Sequence, residues 1–359
     1  MGHTGVHRLI GTSSSNISLL ATILAVILPG TYLLLRYLSA KIGPKSLANT
    51  PPLPPPTRIV DLRIYPIKSC RGFSVPSAKL LKAGLDLDRN WMFVTAADHK
   101  FLTIRTNPKM TLIETSFDAD NDTLRISIKN HPASAGIAIP AHPTRAWLNA
   151  NTTPCAAEIW SQETDAWAYA SELTQPLAAF LALDVRLVYK GPTPRVLRGS
   201  GAPDRLGRTA DTRFADMMPV LVGSRASLAE LNQRLQSEGE AEIGIERFRP
   251  NVVVEGGEPW NEDVWKTLRI SGAGATLVLD VACRCLRCQV PNVDPETAEK
   301  HPRQPWKLLT SYRRIDRGLK GKPAFGMLCV PREEGTVEVG MCLEVLETTH
   351  DHFFVSPMK

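Results

Sequence analysis

Ile59-Val-Asp-Leu-Arg-Ile-Tyr65 alternates apolar and polar side chains, with Val60, Leu62 and Ile64 on one face. A period of two is the signature of a half-buried strand, because successive strand side chains point to opposite faces. The same pattern recurs outward from it. Trp91–Ala96 and Phe101–Arg105 flank Ala97-Asp-His-Lys100 as a hairpin would, and Thr111–Phe117 and Thr123–Ile128 form a second pair across Asp118–Asp122. Val185–Tyr189, Pro219–Val222, Asn251–Glu255, Leu268–Ile270, Thr276–Val281 and Val337–Leu346 read as further strands. Two helices stand out. Thr174 caps one, with Pro176 in its first turn, and the capping box Ser227-Leu-Ala-Glu230 opens the other, with Gly239 just past its end. The polar stretch Gly191–Arg213 reads as a long loop. The expected class is α+β, mainly β.

The 359 residues suit two domains, or one large domain with extensions. Hydrophobic residues at 43% and charged residues at 22% exclude global disorder. Aromatics at 6% give little to stack bases on, and a net charge of +6 suits local anion sites rather than a polyanion-coating surface, so no nucleic-acid partner is expected. Seven Cys, an odd number, show no paired framework and indicate a reducing compartment.

Residues 1–16 read as a tail. Ile17–Leu35 carries no charge and is about as long as a ~30 Å hydrocarbon core is thick, so residues 17–38 are expected to form one transmembrane anchor. Only Arg8 precedes it among basic residues, whereas Arg36, Lys41 and Lys45 follow, which by the positive-inside tendency leaves the body in the cytosol. Residues 39–56 end in Pro51-Pro-Leu-Pro-Pro-Pro56, a stiff extended spacer.

The densest chemistry is Cys283-Arg-Cys-Leu-Arg-Cys288, followed by Gln-Val-Pro-Asn-Val-Asp294-Pro295. Cations beside a thiol favour the thiolate, the form that binds metal. Three readings compete. The spacing C-x-C-x-x-C with His301 as nearest histidine is a poor structural zinc pattern. Cys283 and Cys285 could be small buried hydrophobes. A single functional thiolate is the third.

Tyr65-Pro-Ile-Lys68-Ser69-Cys70-Arg-Gly72, Asp88-Arg89-Asn-Trp91, Phe248-Arg249-Pro250-Asn251, and Arg287-Cys288 followed by Val293-Asp294-Pro295 occur in that order. Together they resemble the MOSC family, in its mitochondrial amidoxime-reducing component branch, from about Thr57 to Leu346. The resemblance implies a MOSC-type β-barrel core at residues 190–347, a β-rich N-terminal region at 57–189 and a tail at 348–359. It implies a molybdenum cofactor, with Cys288 as the protein's metal ligand. The matching cofactor contacts are Lys68, Ser69, Arg89, Asp216, Met217, Met218, Arg249, Asn251, Leu286, Arg287 and Cys288. Met217 and Met218 stand where the family carries hydroxyl residues, so only backbone contacts transfer there. Leu328 stands where close relatives carry an aromatic hydroxyl. The implied activity is reduction of N-hydroxylated small molecules, such as amidoximes and hydroxylamines. Cys288 and Asp216 are the catalytic candidates, cytochrome b5 and its NADH-dependent reductase the electron donors, and the mitochondrial outer membrane the place. A cofactor-binding or sulfur carrier of the molybdenum cofactor sulfurase type is the alternative. That type's pyridoxal-phosphate domain would not fit in the roughly 50 residues before Thr57, so no pyridoxal phosphate is expected. A membrane-tethered zinc or scaffold protein is the third possibility.

Overall fold

Seven strands close on themselves. In the computed structural model, which describes residues 31–32, 34, 36–37, 52–131, 136–272 and 274–358, they are β1 (Thr57–Ile64), β2 (Val220–Ser224), β3 (Val252–Val254), β4 (Trp265–Gly272), β5 (Ala275–Leu286), β6 (Ala324–Pro331) and β7 (Cys342–Thr348). Their order around the barrel is β1-β3-β2-β6-β5-β4-β7, and β7 returns to β1. Only β2 and β3 run parallel. Closure leaves no free sheet edge in the ring. Leu62, Val222, Val252, Leu268, Leu279, Met327 and Leu343 lie in one core cluster and are all but inaccessible. Burying each such side chain stabilises the fold by roughly 1.5–3 kcal/mol.

β1 departs from the expected alternation at one point. A bulge between Ile59 and Asp61 shifts its register, so that Ile59 is buried with Leu62 and Ile64 while Val60 turns partly outward. β6 gave no periodic signal because it is buried on both faces. Met327 and Cys329 point to the barrel core. Leu328 and Val330 join a second cluster with Met218 and Cys283. Phe325 stacks on Phe248 at 3.7 Å, beneath the helices Arg225–Ser237 and Trp306–Tyr312.

Residues after β1 build a four-stranded sheet, in the order Trp91–Thr95, Val185–Lys190, Gln162–Tyr169, Thr152–Ile159, and a three-stranded meander, Ile113–Asp118, Thr123–Ile128, Ile137–Pro140. Trp91, Phe93, Ile113, Leu124 and Leu187 belong to the same cluster as the barrel interior.

Several local expectations are corrected. Phe101–Arg105 is not a strand. It pairs with Trp91–Thr95 only at Phe101–Leu102, after which Thr106 N turns back to Thr103 O. Thr174 lies inside helix Ser171–Leu181, and its hydroxyl is spent on Ser171 O and Val185 O. The second helix is capped by Ser224, one turn before Ser227, whose own hydroxyl accepts from Trp260 N at 2.8 Å. Val337–Leu346 is two strands of different sheets, Gly335–Glu338 and β7, parted where Gly340 takes φ 95°, a backbone that disfavours side chains. Gly191–Arg213 contains a short pair, Arg195–Val196 with Asp211–Thr212, and the helix Pro203–Leu206.

The chain divides into two units, residues 1–52 and 53–359. Of the first, Thr31, Tyr32, Leu34, Arg36 and Tyr37 are described as helical and Pro52 as non-helical, and all six are exposed. The rest of the expected anchor 17–38 lies outside the described residues. Among the described residues no helix is long and apolar enough to cross a membrane.

Candidate functional site

A cleft of about 300 Å³ opens at one end of the barrel, and every residue singled out above for cofactor contact lines it. Its thiol side is the end of β5. The strand runs to Leu286, longer than the expected Thr276–Val281, and so carries Cys283 and Cys285 itself. Cys283 is buried in the cluster of Leu328 and Met218, and burial pushes its thiol up to about 12. Cys285 lies on the cleft wall. Burial raises its thiol too, against a hydrogen bond from Arg287 Nη1 at 2.8 Å. Arg287 is buried and donates its other nitrogen to Phe248 O at 2.8 Å. Beyond it the chain turns, and half-buried Cys288 accepts a hydrogen bond at Sγ from Arg105 Nη1 at 3.5 Å. All seven cysteines are unpaired. Among the described residues no three His, Cys, Asp or Glu side chains gather as a metal cluster would.

The opposite wall carries charge. Lys68, 5% exposed, donates to Phe214 O at 3.1 Å and pairs with Asp216. Burial brings its ammonium down to about 8, against the pull of the carboxylate. Asp216 has more than half its side chain open to the cleft and also accepts from Trp160 Nε1 at 3.0 Å. Partial desolvation opposes its ionisation, but Lys68, Arg105 and the indole hold it well below the usual carboxylate range. Arg89 straddles the Asp88 carboxylate at 2.5 and 2.6 Å and donates to Arg249 O. The Arg89 and Arg249 guanidiniums both lie against the ring of Tyr65, at 4.5 and 4.3 Å from its centroid. Arg249 donates Nη1 to Cys70 O at 2.7 Å. Its Nη2 is buried without a partner, and burial beside Arg89 lowers its pKa to about 10.

Some marked side chains also make structural contacts. Asn251 uses both ends of its amide, accepting from Leu221 N at 3.1 Å and donating to Arg63 O at 3.2 Å. It ties β1 to the start of β2 and so shapes the cleft. Met218 is packed in the cluster beneath, whereas Met217 and Leu286 contribute apolar wall. Leu328 lines the cleft as well.

Sequence reasoning missed Arg105, Trp160 and the C-terminal residues Phe354, Ser356, Pro357 and Met358, all of which line the cleft. Trp160 and Ser161 form the turn of a hairpin with φ 51° and 58°, a turn without the usual Gly or Asn, and Trp160 carries the Arg105 guanidinium 4.7 Å from its ring. Nothing in the local sequence marks either residue.

Ser69, Arg89, Trp160 and Arg249 adopt left-handed backbone at φ 51–70°. None is Gly, Asn or Asp, so each is held there at a local cost. A thiol on a turn, facing a wall of half-buried and buried cations, is the donor set an anionic, sulfur-ligated cofactor requires. The residues present fit such a group.

Residues 56–183 match the MOSC N-terminal beta barrel domain and residues 209–344 the MOSC domain. The chain belongs to the MOSC family. Mitochondrial amidoxime-reducing component 1 of Homo sapiens is 31% identical over 294 residues, covering 79% of this chain and 81% of that one. Mitochondrial amidoxime reducing component 2 of Bos taurus is 29% identical over 291 residues, with the same coverage. Molybdenum cofactor sulfurase of Arabidopsis thaliana is 30% identical over 280 residues, which are 75% of this chain and 32% of that protein.

Proposed function

We propose that this protein is a molybdenum-cofactor-dependent reductase of N-hydroxylated compounds, anchored through residues 17–38 in the mitochondrial outer membrane with its body in the cytosol. Electrons would come from NADH through cytochrome b5 reductase and cytochrome b5. The observation that carries the reading is the placement of Cys288 Sγ on the same cleft as Lys68, Arg89 and Arg249. The similarity to amidoxime-reducing components over most of both chains supports it.

The overall reaction balances as amidoxime plus NADH plus H⁺ giving amidine, NAD⁺ and water. Bound in the cleft, the cofactor supplies the two-electron reduction of the N–O bond. Cys288 offers the soft sulfur ligand, and Arg105, stacked on Trp160, holds that sulfur by its Nη1. Lys68, Ser69, Arg89 and Arg249 hold the anionic end, while Met217, Leu286 and Leu328 exclude water beside it. Asp216 stays ionised near neutral pH, so it serves as a countercharge rather than a proton donor. Its Oδ1 holds the Lys68 ammonium in place beside the anionic group.

The test is to purify the full chain from a host that makes the cofactor, measure molybdenum and pterin, and follow NADH oxidation with benzamidoxime, cytochrome b5 and its reductase. One molybdenum per chain with substrate-dependent oxidation supports the reading. Molybdenum without turnover would favour the cofactor-carrier alternative.

A further inference from the structure

A second cavity, of about 190 Å³, lies behind Tyr65 and shares Arg249 with the cleft. Tyr65 is 2% exposed, and its hydroxyl faces the Arg63 guanidinium without closing a hydrogen bond of good geometry, while Arg249 Nη2 has no partner at all. Buried polar atoms are almost always paired, so two orphans on the wall of one cavity are evidence for something that pairs them. Arg249 Nη2 can only donate, and the phenol can donate as well, so the missing group is an acceptor. Three more cations line the cavity. Arg71 and Arg247 are already paired, with Glu296 and Asp294. Arg63 spends its Nε on Asp61 at 2.6 Å, which leaves its two terminal nitrogens. Glu246, the one acidic side chain of the wall, interacts with Arg63 and satisfies neither orphan.

We propose that this cavity is a binding site for a small oxyanion of the phosphate type, held by Tyr65 Oη, Arg249 Nη2 and the outer edge of Arg63. The inference stands apart from the reductase reading, since Tyr65 and Arg63 do not line the larger cleft. It also gives Arg249 a second duty. With Nη1 fixed on Cys70 O, an anion on Nη2 pins the guanidinium from the far side, so occupancy of the small cavity and of the cleft are coupled through one side chain.

The experiment titrates the cofactor-free full chain with inorganic phosphate by calorimetry. A Lys68→Met variant removes the ammonium of the larger cleft, and phosphate binding is expected to persist in it. Tyr65→Phe, which deletes only the unpaired hydroxyl, and Arg63→Gln are each expected to weaken binding about tenfold while thermal melts show both variants folded. Crystals soaked in selenate should place an anomalous peak within hydrogen-bond reach of Tyr65 Oη and Arg249 Nη2. Absence of binding, loss of all binding in Lys68→Met, affinities within twofold of wild type in both Tyr65→Phe and Arg63→Gln, or a peak at Lys68 and Ser69 alone would each overturn the proposal and leave the cavity to water.

Discussion

Replacing Asp216 by Asn tests the electrostatic design of the cleft. Lys68 is buried and its pKa has fallen from 10.5 to about 8 even with the carboxylate beside it. That fall corresponds to ~3 kcal/mol of unfavourable burial of the ammonium. The sign follows from proton binding. Between about 8 and 10.5 the unfolded chain holds a proton on this lysine that the folded chain has released, so stability rises with pH through that window and is lowest below it. The Asp216→Asn variant would leave the ammonium with only the neutral carbonyl of Phe214 and an amide. Breaking a fully buried pair costs ~3–5 kcal/mol, but Asp216 is half exposed, so about 1–3 kcal/mol is expected at pH 6.5. At pH 9.5 Lys68 is mostly neutral and needs no countercharge, so the difference between variant and wild type should shrink. Urea unfolding of both proteins at pH 6.5, 8 and 9.5 measures this directly. A variant as stable as wild type at pH 6.5, or a destabilisation constant across the three pH values, would refute the reasoning.

Three other outcomes are expected. Glu262 is buried, its Oε1 has no partner, and desolvation raises its pKa to about 7; stability should therefore fall by ~3 kcal/mol from pH 4.5 to pH 7 and then level off, and Glu262→Gln should flatten that slope in denaturant titrations. Cys288→Ser should abolish reductase turnover in the cytochrome-coupled assay, whereas Cys283→Ser, deep in the Leu328 cluster, should lower the melting temperature and leave activity per bound molybdenum nearly intact. Arg249→Ala should lower cofactor content by a loss of ~1.5–3 kcal/mol in charge-assisted bonding, read as molybdenum per folded chain.

Strands with one wet face were legible through their alternation, and the short buried strands Trp91–Thr95, β2 and β3 through continuous apolar runs. The alternation of β1 and of the pair Ile113–Asp118 and Thr123–Ile128 reports half-burial. β6 was not legible because it shows no alternation and its run Ala-Phe-Gly-Met-Leu-Cys-Val-Pro carries Gly326 inside and a single β-branched residue, and the hairpin Thr152–Ile159 with Gln162–Tyr169 was missed because Trp160-Ser161 is not a sequence that announces a tight turn. The cleft was legible where short motifs carry it, at Lys68-Ser69, Arg89, Arg249 and Arg287-Cys288. Arg105 and Trp160 were not, because their positions follow only from how the four-stranded sheet folds over the barrel end. Asn251 lines the cleft as expected, and its amide also stitches strands, with one bond accepted from Leu221 N and one donated to Arg63 O.

The barrel itself carries a last prediction. Six of its strands fall at or beyond Val220, within or beside the stretch that matches the MOSC domain, but β1 comes from residues 57–64, in the stretch that matches the N-terminal domain. β1 sits between β3 and β7, paired with both. A fragment of residues 190–359 therefore cannot close its ring. It would expose two strand edges and leave empty the space of Ile59, Leu62 and Ile64, whose burial is worth roughly 5–9 kcal/mol together. That is comparable to the whole stability of an ordinary domain, about 5–15 kcal/mol. The fragment should aggregate or melt without a cooperative transition in differential scanning calorimetry, while residues 53–359 melt cooperatively. A soluble, monomeric 190–359 with a sharp transition would mean that the β7 and β3 edges can meet without β1, and the seven-stranded closure would then not be what holds the cleft in shape.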